Sequence, residues 1–202
     1  MNKEVILIRV IKYGSLEFES DIIKNDKEIV LEAVKKNGMI LKYASENLKL
    51  DKEIVLAAVR QSAYAFGFVS EELKKDEEVV LEAIKQDGGL LQLANKKFQA
   101  DKEVVLAAVT QSGYALEYAS EKLRNNKEVV IAAVKQNGHA LEYASEELRR
   151  DKKILYILKN YIIEKKNRYP KEYELLLKYK RDDELREKLD DKDRVVKIKK
   201  KV

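Results

Sequence analysis

The feature that most constrains this chain is an internal repeat with a spacing of 25 residues. The hexapeptide DKEIVL at 51–56 returns as DKEVVL at 101–106, and related copies start near residues 2, 26, 51, 76, 101 and 126. A unit this short cannot bury its apolar surface alone, so neighbouring units must stack to form a core. The repeat therefore predicts an array of six tandem units over residues 1–150.

Each unit is predicted to form two short helices. An Asp or Asn at its first position can cap a helix, and the Glu two residues later suits the positive helix end. The apolar side chains that follow, such as Ile29, Val30 and Val34, spread too widely for one narrow stripe, which indicates a helix packed on several sides. Because the chain has 38% charged residues and one proline, the predicted fold is all-α. We expect an α-solenoid of tandem two-helix repeats with a C-terminal helical cap.

A glycine ends the first helix of most units, at positions 14, 38, 88, 113 and 138, whereas the unit starting at residue 51 has Ala63 there. Glycine at this place predicts a left-handed backbone conformation. If Ala63 adopts that conformation, it lowers the free energy of unfolding by about 1 kcal/mol, and Ala63→Gly would be neutral or stabilising. A second, shorter helix follows the glycine. The Ser-Glu pair after it, as at Ser145, predicts the cap of one more short turn.

The C-terminal part differs from the repeats. Residues 151–168 begin like a seventh unit but continue with helical spacing past the expected glycine, and Pro170 suits the first turn of a further helix. We expect capping helices over 151–191 and a basic tail over 192–202. Residues 151–202 contain 18 Lys and Arg against 11 Asp and Glu, whereas residues 1–150 contain 23 against 25. The net charge of +5 therefore belongs to the C-terminal part.

Composition also indicates a cellular location. The chain has no cysteine, which suits a reducing compartment. Its N-terminal apolar stretch is short and interrupted by Glu4 and Arg9, unlike a signal peptide. No apolar run approaches the ~20 residues that a membrane helix needs. We expect a cytoplasmic protein without membrane contact.

The repeat pattern is specific enough to resemble a known family. The stretch DKEVVLAAVTQSGYALEYASEKL at 101–123, and its near copy at 126–148, resemble the bacterial repeat family called domain of unknown function 4116. The resemblance covers roughly residues 2–150 and departs at 96–100, which read KKFQA, and in the shortened first copy. It implies a helical repeat array, often part of larger bacterial proteins. It implies no established activity and no catalytic residue.

Rows of equivalent outward positions are the candidate partner-binding sites, because stacking aligns them into strips. One row, near the end of the first helix, could bind an extended peptide or could instead bridge to the neighbouring repeat. It comprises Gln61, Gln86, Gln111 and Gln136.

A second row follows the glycine and varies in size and chemistry, as a recognition position would: Met39, Tyr64, Gly89, Tyr114 and His139. The alternative is a tolerant surface position. A third row, one turn further on, becomes acidic in the last two repeats and can equally be a solvated surface: Lys42, Gly67, Gln92, Glu117 and Glu142. The next position exchanges Tyr with Phe and Leu and is predicted to be core: Tyr43, Phe68, Leu93, Tyr118 and Tyr143.

Nothing in the sequence indicates an enzyme, a cofactor or a metal site. His139 with Glu142 would supply half of a metal site, and metals need more ligands. We therefore expect a non-enzymatic scaffold that binds a protein or peptide of unknown identity. The alternatives are nucleic-acid binding through the basic C-terminal segment, which the nearly neutral repeats do not favour, and a structural spacer without a dedicated ligand.

Overall fold

A computed structural model describes residues 3–13 and 15–164, and every regular element in this part of the chain is helical. The predicted all-α repeat fold is confirmed. Gly14, the capping helix predicted around Pro170 and the basic tail at 192–202 lie outside the described residues. In the described part, no helix combines the length and the apolar character needed to cross a membrane.

Each repeat opens with a long α-helix, and from the second repeat onward its first turn is capped as predicted. The Asp26 carboxylate accepts hydrogen bonds from the backbone N–H groups of Glu28 and Ile29, both at 3.1 Å. Equivalent caps occur at Asp51, Asp76, Asp101 and Asn126. These caps satisfy donors that would otherwise have no partner within the helix. The long helices span Lys3–Tyr13, Lys27–Lys36, Lys52–Gln61, Glu77–Gln86, Lys102–Gln111 and Lys127–Gln136.

The predicted second helix is present from the second repeat onward, but it is a 3-10 helix of six residues rather than an α-helix. This tighter form is common in short pieces. The first repeat has only a turn at residues 17–18 at the corresponding place. The 3-10 helices span Gly38–Tyr43, Ala63–Phe68, Gly88–Leu93, Gly113–Tyr118 and Gly138–Tyr143.

A short helical turn closes each repeat. A serine precedes this turn in five of the six repeats, and it caps the turn in three of them. The hydroxyl oxygens of Ser45, Ser70 and Ser145 accept hydrogen bonds from the backbone N–H groups three residues later. Ser20 and Ser120 make no such cap. The closing turns span Asp21–Lys24, Leu48–Leu50, Leu73–Lys75, Lys96–Gln99, Glu121–Arg124 and Glu146–Arg149.

Stacking of equivalent elements produces the core. Each long helix packs against the long helix of the next repeat, and each 3-10 helix packs against the next 3-10 helix. Val30, Ala33 and Leu41 are fully buried, as are their equivalents in later repeats. A longer helix, Lys152–Glu164, follows the last repeat and packs against Lys127–Gln136 and Gly138–Tyr143. It covers the apolar face that a seventh repeat would otherwise cover.

The prediction of a left-handed backbone conformation at these glycines is wrong. None of the glycines at positions 38, 88, 113 and 138 has φ in the left-handed region. Instead, the backbone at Gly38, Gly88 and Gly113 comes so close to the long helix of the next repeat that a Cβ would collide with it. A Cβ at Gly138 would collide with the Leu158 side chain of the helix that follows the last repeat. At Gly113 a Cβ would lie 2.7 Å from the carbonyl oxygen of Ala133. The strain predicted at Ala63 assumed this left-handed conformation and therefore has no basis. The effect of Ala63→Gly stays a prediction.

Ion pairs between repeats add a charged ladder along the long-helix N-termini. The Lys27 Nζ lies 2.8 Å from the Asp51 carboxylate and 2.9 Å from Glu53. Lys52 pairs in the same way with Asp76 at 2.9 Å, and its hydrogen bond lowers the pKa of the Asp76 carboxyl. The ladder continues with Lys102–Glu128 and Lys127–Asp151. In the fourth repeat the equivalent residue is Glu77, so the same pairing cannot form there.

Candidate partner-binding surface

The glutamine row lies at the junction between repeats. The Gln136 Oε1 accepts a hydrogen bond from the Gly113 N–H at 2.6 Å, and its Nε2 donates to the Gln111 carbonyl at 3.0 Å. Gln61 makes the accepting half of this bridge, and Gln86 makes the donating half. Within the described residues, the Gln111 side chain forms no hydrogen bond. The geometry thus supports the structural alternative for Gln61, Gln86 and Gln136.

The variable row after the glycine lies at the surface on the 3-10 helices. Tyr64 is 65% exposed, Tyr114 is 45% exposed and Met39 is 39% exposed. Gly89 and His139 are half-buried. Large aromatic side chains with this exposure supply contact area that a partner can cover.

The third row is exposed at every position in the second to sixth repeats: Lys42, Gly67, Gln92, Glu117 and Glu142. Its character changes from basic to acidic along the array. Because each member belongs to a 3-10 helix that packs on the next one, the acidic end of the row is carried by the adjacent fifth and sixth repeats.

The position predicted to be core is only half-buried. Tyr43, Phe68, Tyr118 and Tyr143 pack against the core with part of each ring accessible, and Leu93 is 42% exposed. The core prediction is therefore confirmed only in part, because four of these side chains pack against the core but none is fully buried. A signal was present in the sequence, because three of the five residues carry a hydroxyl, and tyrosine suits a place with one apolar and one wet end.

Candidates from two rows meet around Tyr143 in the last two repeats. Its ring centroid lies 6.2 Å from that of Tyr114, in an edge-to-face arrangement with 76° between the planes. Burial raises the pKa of the Tyr143 hydroxyl, and the nearby Glu117 carboxylate adds to the rise, as does Glu142. We call this surface, formed by Tyr114, Glu117, Tyr118, Glu142 and Tyr143, the tyrosine–glutamate patch. It can accept hydrogen bonds and present aromatic faces beside negative charge.

His139 borders the patch. Its Nδ1 lies 3.7 Å from a carboxylate oxygen of Glu142. Across the described residues, no group of three or more His, Cys, Asp or Glu side chains is arranged to hold a metal ion.

An open groove of about 620 Å³ adjoins the patch where the fourth and fifth repeats meet. Glu117 and Tyr118 line it together with the basic side chains of Lys96 and Arg124. Lys96 belongs to the stretch at 96–100 that departs from the repeat pattern. The groove therefore has mixed charge, in contrast to the acidic side of the patch.

Comparison with known families decides where the chain belongs. The family described as Domain of unknown function (DUF4116) matches residues 2–49, 51–99 and 101–149. The chain belongs to this family. Each match spans two of the 25-residue units, so the DUF4116 module is a two-repeat block that occurs here three times in tandem. The search of curated proteins finds no match, and the search of solved structures finds none either.

Proposed function

We propose that this chain is a non-enzymatic, solenoid-like scaffold that binds a protein or peptide through the 3-10 helix surface, and that it acts in the cytoplasm. The meeting of Tyr114, Glu117 and Glu142 around Tyr143, with His139 beside Glu142, carries the proposal, since residues from two separate rows form one surface there. Exposed aromatic side chains are typical anchors of interfaces. The absence of cysteine is the basis for the proposed compartment.

The arrangement of the rows favours an extended partner. The 3-10 helices of successive repeats pack side by side, so their exposed residues follow one another along the array. Tyr64 in the third repeat and Tyr114 in the fifth repeat are the large anchors of this strip. Such repeat surfaces bind through many equivalent positions rather than through one deep pocket.

Affinity capture tests the proposal. Proteins retained by the immobilised full-length chain are compared with those retained by the double variant Tyr64→Ala/Tyr114→Ala. Loss of two aromatic anchors should lower retention of a genuine partner by about tenfold or more. The matched control is Tyr13→Ala/Tyr156→Ala, which removes two tyrosines that are 69% and 63% exposed and lie outside the row.

Thermal unfolding of each variant verifies that the fold is intact. A protein retained by the wild-type chain and the control variant, but not by the row variant, supports the proposal. If every retained protein binds all three chains equally, the two row tyrosines do not form the binding surface.

A further inference from the structure

The third-row residue next to the half-buried tyrosine has opposite charge at the two ends of the array. In the second repeat this residue is Lys42, and its Nζ lies 5.1 Å from the centroid of the Tyr43 ring. An ammonium group over an aromatic face at this distance is a favourable cation–π contact. The second repeat therefore shows that the tyrosine at this position accepts a cation on its ring.

The fifth and sixth repeats keep the tyrosine but replace the lysine by an acid. Glu117 precedes Tyr118, and Glu142 precedes Tyr143. Among the described residues, no lysine or arginine lies over either ring, and Glu117 takes part in no ion pair. Two tyrosine rings that could bind a cation are thus beside two exposed carboxylates.

The patch also has a suitable shape. The Tyr114 and Tyr143 rings stand almost perpendicular to each other with their centroids 6.2 Å apart, so they form the corner of an aromatic surface. Glu142 is 53% exposed beside this corner. The third and fourth repeats do not combine these features, because Tyr64 is accompanied by Gly67, and Gly89 by Gln92.

We infer that the tyrosine–glutamate patch binds lysine or arginine side chains of a basic segment in a partner protein. The rings provide cation–π contacts, and Glu117 and Glu142 provide the opposite charge. The inference rests on the proposed function and specifies the chemistry of the partner. Lys96 and Arg124 in the adjoining groove make an acidic segment the competing outcome.

Fluorescence anisotropy with two labelled peptides provides the test. One peptide alternates lysine with glycine and serine, and the other has glutamate in place of every lysine. The full-length chain should bind the lysine peptide in preference to the glutamate peptide. Raising the salt concentration to about 1 M should weaken binding, because the carboxylates are exposed and are screened.

Variants locate the binding on the patch. Glu117→Gln/Glu142→Gln keeps the side-chain shape and removes the charge, and Tyr114→Ala removes one ring of the corner. Each should weaken lysine-peptide binding by about fivefold to thirtyfold, which is the range expected for losing one or two such contacts. Tyr156→Ala, which removes a tyrosine that is 63% exposed and lies outside the candidate rows, should leave peptide binding unchanged.

Several outcomes would overturn the inference. Preference for the glutamate peptide would assign binding to the groove of Lys96 and Arg124, and equal binding by the patch variants would place the site elsewhere. Binding that appears only after Lys197, Lys199, Lys200 and Lys201 are changed to Gln would make the chain's own basic segment the occupant. In each case, the proposed scaffold function would still be supported if the capture of a partner protein depends on Tyr64.

Discussion

At the scale of single residues, close approach between repeats explains the glycine that opens most of the 3-10 helices. The backbone of one repeat lies against the carbonyl group of a long helix in the next, and a side chain on that glycine would keep them apart. The Gln136 side chain uses the same approach, since it binds both the Gly113 N–H and the Gln111 carbonyl. A small residue and a bridging amide thus act together at this junction.

We expect Gly113→Ala to destabilise the chain. The added Cβ would lie 2.7 Å from the Ala133 carbonyl oxygen and 2.9 Å from the Asn137 Cβ, so the backbones of two repeats must separate. Overpacking of this kind costs about 1–3 kcal/mol in the free energy of unfolding. Urea unfolding monitored by circular dichroism measures the change.

Gly67→Ala is the control for this substitution, because a Cβ at Gly67 would have no atom within 4 Å. It should be neutral or slightly stabilising through the reduced freedom of the unfolded chain. Equal unfolding midpoints for the two variants would show that close approach is not the reason for the glycine at position 113.

At the scale of elements, helix N-termini have two roles. An Asp or Asn caps the first turn of the long helices from the second repeat onward. Where the capping residue is Asp51, Asp76 or Asp151, it also forms an ion pair with the lysine that opens the preceding long helix. Capping and inter-repeat pairing therefore use the same carboxylate. The ladder is interrupted at Glu77, which occupies the lysine position in the fourth repeat.

We expect Glu77→Lys to stabilise the chain modestly. The new lysine occupies the position from which Lys52 contacts Asp76 and Glu78, and it would reach Asp101 and Glu103 in the fifth repeat. An exposed pair contributes little, so the melting temperature should rise by about 1–3 °C. Differential scanning calorimetry at low salt measures the rise, which should disappear at about 1 M salt.

Glu77→Gln distinguishes a stability gain caused by a new ion pair from a gain that comes only from removing charge repulsion. It removes the negative charge from the position at which the equivalent Lys52 contacts the next repeat, but it supplies no cation. If the glutamine variant gains as much stability as the lysine variant, the gain comes from removing a charge and the ladder does not extend.

At the scale of the whole molecule, each repeat depends on the next one to cover its apolar face. The helix Lys152–Glu164 provides this cover for the sixth repeat. Leu158 is fully buried in this contact, and its Cδ1 would lie 2.7 Å from a Cβ on Gly138. The end of the array is therefore closed by an apolar contact to the last 3-10 helix.

We expect Leu158→Ala to destabilise the C-terminal end by about 2–5 kcal/mol, because it leaves a cavity at a fully buried site. Hydrogen exchange should show the largest loss of protection in residues 126–164, since each repeat contacts only its neighbours. Tyr156→Ala, on the same helix but 63% exposed, should change stability by less than about 0.5 kcal/mol. A uniform loss of protection across all repeats would contradict local stabilisation by the capping helix.

Much of this architecture could be predicted from the sequence, because its causes are local. The 25-residue period, the Asp and Asn caps and the all-α class follow from residue type and spacing, and the structure confirms them. The candidate rows also proved to be surface rows for Tyr64, Tyr114, Glu117 and Glu142. Periodicity alone was sufficient for these predictions, since a repeated pattern places equivalent side chains in equivalent environments.

Only the tertiary structure decided which atoms of neighbouring repeats meet. The 3-10 form of the second helix, the steric reason for Gly113, the bridging by Gln136 and the half-burial of Tyr143 depend on how closely two repeats approach. The 25-residue spacing establishes that repeats stack, but it contains no information on the distance or rotation between them. Local propensities determine the unit, whereas packing between units determines which of its side chains remain available to a partner.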